Sequence, residues 1–140
     1  MYHFKKKNKA KSKPKGYYVK KLDIVFSQYI RQKYSDSFGV SRCYTCLKQS
    51  HWKDLQNGHY ISRGHMNTRW DEENCRPQCV GCNVFKNGNY TEYAHRLLQE
   101  IGEDGLNALM EKKKHIKQWS IAEIKEKTEY YKSCIATLDN

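Results

Sequence analysis

Two cysteine pairs constrain this chain more than any other feature. Cys43-x-x-Cys46 and Cys79-x-x-Cys82 are separated by the 32 residues from 47 to 78. Two thiolates two residues apart sit on one tight turn with both sulfurs facing the same point. Two such turns complete a closed tetrahedral site of the kind that holds structural zinc. The separation exceeds that of a minimal zinc ribbon, so a sizeable loop hangs from the site. An iron–sulfur cluster is the other occupant to weigh, but the remaining cysteines, Cys75 and Cys134, form no further CxxC. They read as ordinary core or surface residues. Met1-Tyr-His-Phe runs straight into lysines without the apolar stretch of a secretory leader. No run approaches the ~20 apolar residues of a membrane span. Metal in a reducing cytoplasm is therefore expected, rather than disulfides.

A metal staple suits the rest of the composition. The 140 residues are enough for one domain with arms. With a mean hydropathy of −0.99, any apolar core is modest. Residues 1–16 are Lys-rich and broken by Pro14 and Gly16, a segment expected to be disordered without a partner. Leu22, Val25, Phe26, Tyr29, Ile30 and Tyr34 then fall at helical spacing, which predicts an amphipathic helix over about 19–34. Its polar face presents Lys20, Lys21, Arg31 and Lys33. From Cys43 to Gly88 no helical period appears until the end. Asn57-Gly58 marks either a hairpin turn or a place where the backbone approaches something closely.

The last third reads as helical. Thr91 is a candidate cap for a helix with Tyr93, Leu97, Leu98 and Ile101 on one face and Gly102 at its end. A short helix follows around Leu106, Leu109 and Met110. Ser120-Ile-Ala-Glu123 is a capping box opening a third, with apolar or small residues at 121, 124, 128, 131, 135 and 138. That heptad seam covers under three heptads, so packing on the protein's own core is expected over a coiled-coil dimer. The chain thus divides into a basic arm (1–18), a first helix (19–36), a zinc-held core (40–90) and a helical region (91–140).

The formal charge of +11 is concentrated in the arm: residues 1–21 carry nine lysines and no acid, whereas residues 91–140 are near neutral. Lys5, Lys6 and Lys7 are the densest part. A lysine arm on a near-neutral body suits a polyanion, since each phosphate contact releases counterions. The alternative is a solubilising tail.

A four-cysteine site serves a binding module as well as an enzyme. What points to chemistry lies between and just after the knuckles: Gly58-His59-Tyr60-Ile61-Ser62-Arg63-Gly64-His65, then Arg69-Trp70-Asp71-Glu72-Glu73-Asn74, then Cys82-Asn83-Val84-Phe85-Lys86. These strings resemble the HNH nucleases, specifically the subgroup whose ββα-metal core is held by two CxxC knuckles. In that family a strand carries the catalytic His, an Asn lies five residues before the second knuckle, and the residue after the last Cys binds the catalytic metal. His59, Asn74 and Asn83 occupy those three places. The residue types fit phosphodiester hydrolysis. A neutral His59 can take a proton from water. Asn83 offers an amide oxygen to Mg²⁺ or Mn²⁺. Arg63 or Arg69 can clamp the phosphate, and Asn74 bridges the loop and orients His59. One departure is Gly58, where many HNH enzymes place a second metal ligand. His65, Asp71 or Asp54 can fill that role, or His59 can bind metal while His65 is the base; the family register favours His59 as base. The alternatives are a zinc-dependent DNA- or RNA-binding module without catalysis and a zinc-held protein-interaction module. Asn83 would then merely cap the following helix.

The match continues outside the core. Leu22-Asp23-Ile24-Val25-Phe26-Ser27-Gln28-Tyr29-Ile30-Arg31, Gly58-His59-Tyr60-Ile61-Ser62-Arg63, Cys79-Val80-Gly81-Cys82-Asn83 and the helix with Tyr93, Leu97, Leu98, Ile101 and Gly102 together resemble the phage NinG/Rap recombination proteins over roughly residues 20–138. A Gly before the His also fits that family. The resemblance implies an α+β fold: a small zinc-bound treble-clef/ββα-metal core flanked by an N-terminal helix and C-terminal helices. It also implies a structure-specific endonuclease acting on Holliday junctions and D-loops, with Mg²⁺ or Mn²⁺, in the cytoplasm of a phage's bacterial host. Resolving a junction symmetrically needs two active sites, so a homodimer is expected. Lys86, Arg63, Arg69 and the arm lysines are the expected DNA contacts. Trp52, Trp70 and Tyr60 either stack on unpaired bases or belong to the core.

Overall fold

The structure, a computed structural model, describes residues 11–138. Helix α1 spans Lys15–Lys33 and begins one turn earlier than the apolar spacing predicts. Extended Pro14 sets that start, and the extra turn adds half-buried Tyr18 to the edge of the core while Tyr17 stays exposed under Lys21. Leu22, Phe26 and Ile30 form the stripe at i, i+4, i+8 that the core takes up, each 1 % exposed or less. Burying side chains of this size contributes roughly 1.5–3 kcal/mol apiece.

Two antiparallel two-stranded sheets follow. β1 (Val40–Arg42) pairs with β2 (Gln49–His51), and the first CxxC forms their connection. After a 3-10 turn at Trp52–Asp54, β3 (Gln56–His59) pairs with β4 (Cys75–Gln78), placing Gly58 opposite Arg76 and His59 opposite Cys75. Asn57-Gly58 is therefore strand rather than turn. A Cβ at Gly58 would overlap the side-chain amide of Gln78, so the glycine answers to close packing. The second CxxC leads from β4 into a π-helical turn, Gly81–Phe85.

Helix α2 spans Tyr90–Lys114 and is interrupted at Gly102 (φ 74°, ψ 174°), where the sequence predicts an end and a second short helix. Thr91 is not its cap: the helix starts at Tyr90, after Asn89 in the left-handed conformation, and no side chain caps it. α3 spans Ile121–Leu138 and opens on the capping box, with Glu123 accepting from Ser120 N–H (3.0 Å) and Ser120 Oγ accepting from Glu123 N–H (3.1 Å).

Ile124, Thr128 and Tyr131 turn the α3 seam inward onto α1, with the Tyr131 ring edge-on to Phe26. Leu22, Phe26, Ile30, Trp70, Cys75, Ile124 and Tyr131 make one core cluster, with Cys134 packed at its edge. Ile61, Tyr93, Leu97 and Leu109 make a smaller second one. Trp70 is thus core. Tyr60 packs against Tyr93, and Trp52 lies under the Arg31 guanidinium. Among the described residues no helix is long and apolar enough to cross a membrane.

Candidate functional site

Both CxxC turns close on one point. In the first, Cys43 N–H donates to the Lys48 carbonyl and Leu47 N–H to the Cys43 carbonyl, both at 2.9 Å, with Leu47 at φ 67°. In the second, Cys82 N–H donates to Cys79 Sγ at 3.4 Å and Asn83 N–H to the Cys79 carbonyl at 2.9 Å. The four Sγ atoms lie within 4.8 Å of one another, and those of Cys46 and Cys79 are 3.7 Å apart. Tetrahedral zinc with Zn–S of about 2.3 Å separates its sulfurs by about 3.8 Å, so the set fits that ion. Burial opposes ionisation of Cys43, yet hydrogen bonds from the Cys79 and Cys46 backbone and from Thr45 bring its thiol down to about 6. Cys46 is pushed up to about 12 by burial, reinforced by the neighbouring sulfurs. Metal binding requires the thiolate form, so a cation at this point would be bound with release of protons.

Beside this centre opens a cleft of about 770 Å³, lined among others by Asp23 and Arg31 of α1, His59 of β3, Arg63 of the following loop and Asn83 of the second knuckle. His59 Nε2 lies 2.8 Å from the Arg69 carbonyl. A carbonyl only accepts, so Nε2 carries the proton and Nδ1 keeps its lone pair. Burial lowers the pKa of His59 against the raising effect of that hydrogen bond, so the ring is neutral at neutral pH.

The backbone around His59 is pinned from both sides. Asn74 is fully buried; its Oδ1 accepts from Ile61 N–H (2.7 Å), and its Nδ2 donates to the carbonyls of Ile61 (2.9 Å) and Thr68 (3.0 Å). Tyr93 donates its hydroxyl to the Gly58 carbonyl at 2.8 Å. Asn83 donates Nδ2 to Gln56 Oε1 at 2.8 Å, which leaves its Oδ1 as the amide atom for a cation.

The other sequence-derived positions separate. Arg63 is exposed at the cleft rim. Arg69 commits its guanidinium to Asp23 and to the Arg63 carbonyl. His65, Asp54 and Asp71 do not line the cleft, and Asp71 instead pairs with Lys112. Lys86 is exposed beyond the π-helical turn. Lys5, Lys6 and Lys7 lie outside the described residues. Asp23, Arg31 and Tyr93 are the residues the sequence reading leaves without a role at this site. One signal was there for Asp23, which is the only acid in α1.

Fold and site define a small α+β protein organised on a four-cysteine centre that can bind zinc, with a polar cleft alongside. The family model described as bacteriophage lambda NinG protein matches residues 3–140. The chain belongs to the NinG family. It is 32% identical over 120 residues to protein ninG of Escherichia phage lambda, covering 84% of this chain and 56% of the relative. Against protein ninG of Escherichia phage 933W it is 29% identical over 129 residues, covering 91% and 61%. Against that of Salmonella phage P22 it is 32% identical over 121 residues, covering 84% and 56%. The chain thus spans little more than half the length of these relatives. No solved structure matches it.

Proposed function

We propose that this protein is a metal-dependent endodeoxyribonuclease of the HNH (ββα-metal) kind. Its substrates are branched recombination intermediates, Holliday junctions and D-loops, in the cytoplasm of the phage's host. The observation that carries this reading is the cleft that His59, with Nε2 committed to the Arg69 carbonyl, shares with Asn83 and Arg63. The order of elements supports it: a strand bearing the histidine, a loop, a partner strand, a cysteine knuckle and a helical turn bearing Asn83. That order also favours a treble-clef description of the zinc-held core.

The donors suit a hard divalent cation, because Mg²⁺ takes few protein oxygens and completes its shell with water and phosphate. Asn83 Oδ1 would be the protein ligand. When bound, Mg²⁺ or Mn²⁺ supplies Lewis-acid shielding of the phosphate and leaving oxygens. His59 Nδ1 takes the proton of the attacking water. Arg63 meets the phosphate from the rim, and Arg31 adds positive charge to the cleft wall while its Nη1 is tied to the Trp52 carbonyl at 3.2 Å. Asn74 keeps the two ends of the 61–74 loop together. Lys86 and Lys5, Lys6 and Lys7 provide salt-sensitive backbone contacts. The expected homodimer would draw on a surface other than the buried face of the α3 seam, which α1 already covers.

The deciding experiment compares cleavage of a labelled four-way junction and a matched duplex, in Mg²⁺ or Mn²⁺, by wild type and His59→Ala, with zinc content and junction binding measured alongside. Junction-selective cutting by wild type alone, with zinc and binding kept in the variant, is the expected result. A zinc-loaded wild type that binds junctions but cuts neither substrate would establish a non-catalytic DNA-binding module instead. Equal cutting by both proteins would move the base to another residue.

A further inference from the structure

Asp23 sits inside the cleft wall with a fifth of its side chain exposed, on the helix whose Leu22 and Phe26 anchor the core. Its carboxylate takes three hydrogen bonds from two consecutive residues of the loop. Oδ1 accepts from Arg69 Nε at 3.0 Å and Trp70 Nε1 at 2.9 Å, and Oδ2 accepts from Arg69 Nη2 at 2.6 Å. The carbonyl of that same Arg69 receives His59 Nε2–H.

The loop around Arg69 has no ladder of its own. It runs through successive turns in which His65, Thr68 and Asp71 donate to the carbonyls three residues back. Asn74 holds one side of it through Thr68, and Asp23 holds the other through Arg69 and Trp70. A base must be held to within about half an ångström to act, and a turn alone does not supply that.

From this geometry we infer that Asp23 is a positioning residue. It acts through Arg69 and Trp70 to place the carbonyl that fixes His59 as its Nε2–H tautomer, with Nδ1 available to the cleft. The inference rests on His59 being the base. Serving as the second metal ligand, in place of the side chain Gly58 lacks, is a different role. It would compete with three donors already on the two oxygens.

The test uses the full zinc-loaded chain, ¹⁵N-labelled, with long-range ¹H–¹⁵N spectra of the imidazoles recorded near pH 8. The His59 signal is assigned by its loss in His59→Gln. Asp23→Asn keeps the shape while removing the charge and one acceptor oxygen; Asp23→Ala removes the tether; Trp70→Phe removes one donor. Wild type is expected to show a single Nε2–H form. Asp23→Ala, and Asp23→Asn to a smaller degree, should show mixed or broadened forms with zinc content and helix signal unchanged. If Asp23→Ala does not fold, Asp23→Asn and Trp70→Phe carry the test.

With saturating junction and Mg²⁺, the same variants should lose kcat, by roughly 10²-fold for Asp23→Ala, with KM little changed. An unaltered His59 tautomer in Asp23→Asn and Asp23→Ala overturns the inference, whatever happens to cleavage. So does weakened Mn²⁺ binding without DNA, read by paramagnetic broadening, with the tautomer intact, since Asp23 would then be a ligand. If wild type cuts nothing but the tautomer shifts as expected, the nuclease reading falls while the tether from Asp23 to His59 stands.

Discussion

The two cysteine knuckles bind the same point by similar turns, yet they do different work. The first closes the hairpin β1–β2, whose residues are exposed or half-buried except Ser41, and the residue after its last cysteine is Leu47, 43% exposed. The second follows β4, in which every residue is buried, and the residue after its last cysteine is Asn83 in the cleft. The first knuckle offers a metal only its sulfurs. The other supplies sulfur and also fixes the start of the helical turn that carries a candidate ligand. The two knuckles contribute equal numbers of sulfurs to the four-cysteine cluster but differ in what their flanking residues reach.

That contrast is sharpened first by removing what the knuckles share. Chelating the metal, or replacing either Cys43 or Cys79 by Ser, should cost on the order of 10 kcal/mol of folding free energy. Both variants should lose cooperative thermal unfolding alike. A Cys43→Ser protein that unfolds like wild type would show that the second knuckle holds the core without the first.

The next effect belongs to the cleft alone. His59→Ala should lower junction cleavage by about 10²–10⁴-fold while leaving zinc content untouched. Its titration also has a fixed sign. Burial depresses the folded-state pKa below the ordinary 6.5, so the folded protein binds fewer protons than the unfolded chain just below that pH. Stability from this group is therefore intact above 6.5 and falls as pH drops from there toward the folded pKa. Urea unfolding of wild type and His59→Gln across that window should show the difference narrowing with acid. The acid limb of activity should likewise fall below 6.5.

Much of this was legible in the sequence because spacing is local. The CxxC pairs, the α1 stripe, the Ser120 capping box and the break at Gly102 each declare themselves within a few residues. Thr91 misled because a hydroxyl near a helix start satisfies the capping rule, whereas Asn89 with φ 50° turns the chain so that the helix begins at Tyr90. Long-range partners were not legible. Nothing near Asp23 in sequence says that it meets Arg69 and Trp70, and nothing near Gly58 says that Gln78 crosses it. Those pairings follow from how α1 and β4 lie against β3. Register to the cysteines singles out His59 and Asn83 as candidates, and the structure adds that both line one cleft.

A third perturbation tests how the cleft is braced without metal. Asn74→Ala leaves the Ile61 N–H and the Ile61 and Thr68 carbonyls without their side-chain partner in a buried setting. Losing those contacts should cost about 2–4 kcal/mol. Zinc content of the four-cysteine site should hardly change. Chemical denaturation with zinc stoichiometry reads both, and a loss below about 1 kcal/mol would mean that water enters and replaces the amide.

The smallest effects come from the residue that follows each knuckle. Asn83→Ala should raise the Mg²⁺ needed for half-maximal cleavage by about 10- to 100-fold, as loss of a contact at a metal site commonly does, with stability nearly unchanged. Leu47→Gly should do the reverse. Leu47 holds φ 67° at a left-handed position that costs a branched side chain about 1–2 kcal/mol. Glycine removes that strain but gives back roughly 0.5–1 kcal/mol in chain entropy. A gain of about half a kcal/mol in stability with unchanged cleavage is therefore expected. If Leu47→Gly lost activity, the first knuckle would reach the cleft after all, and the two knuckles would not divide the work as their neighbours suggest.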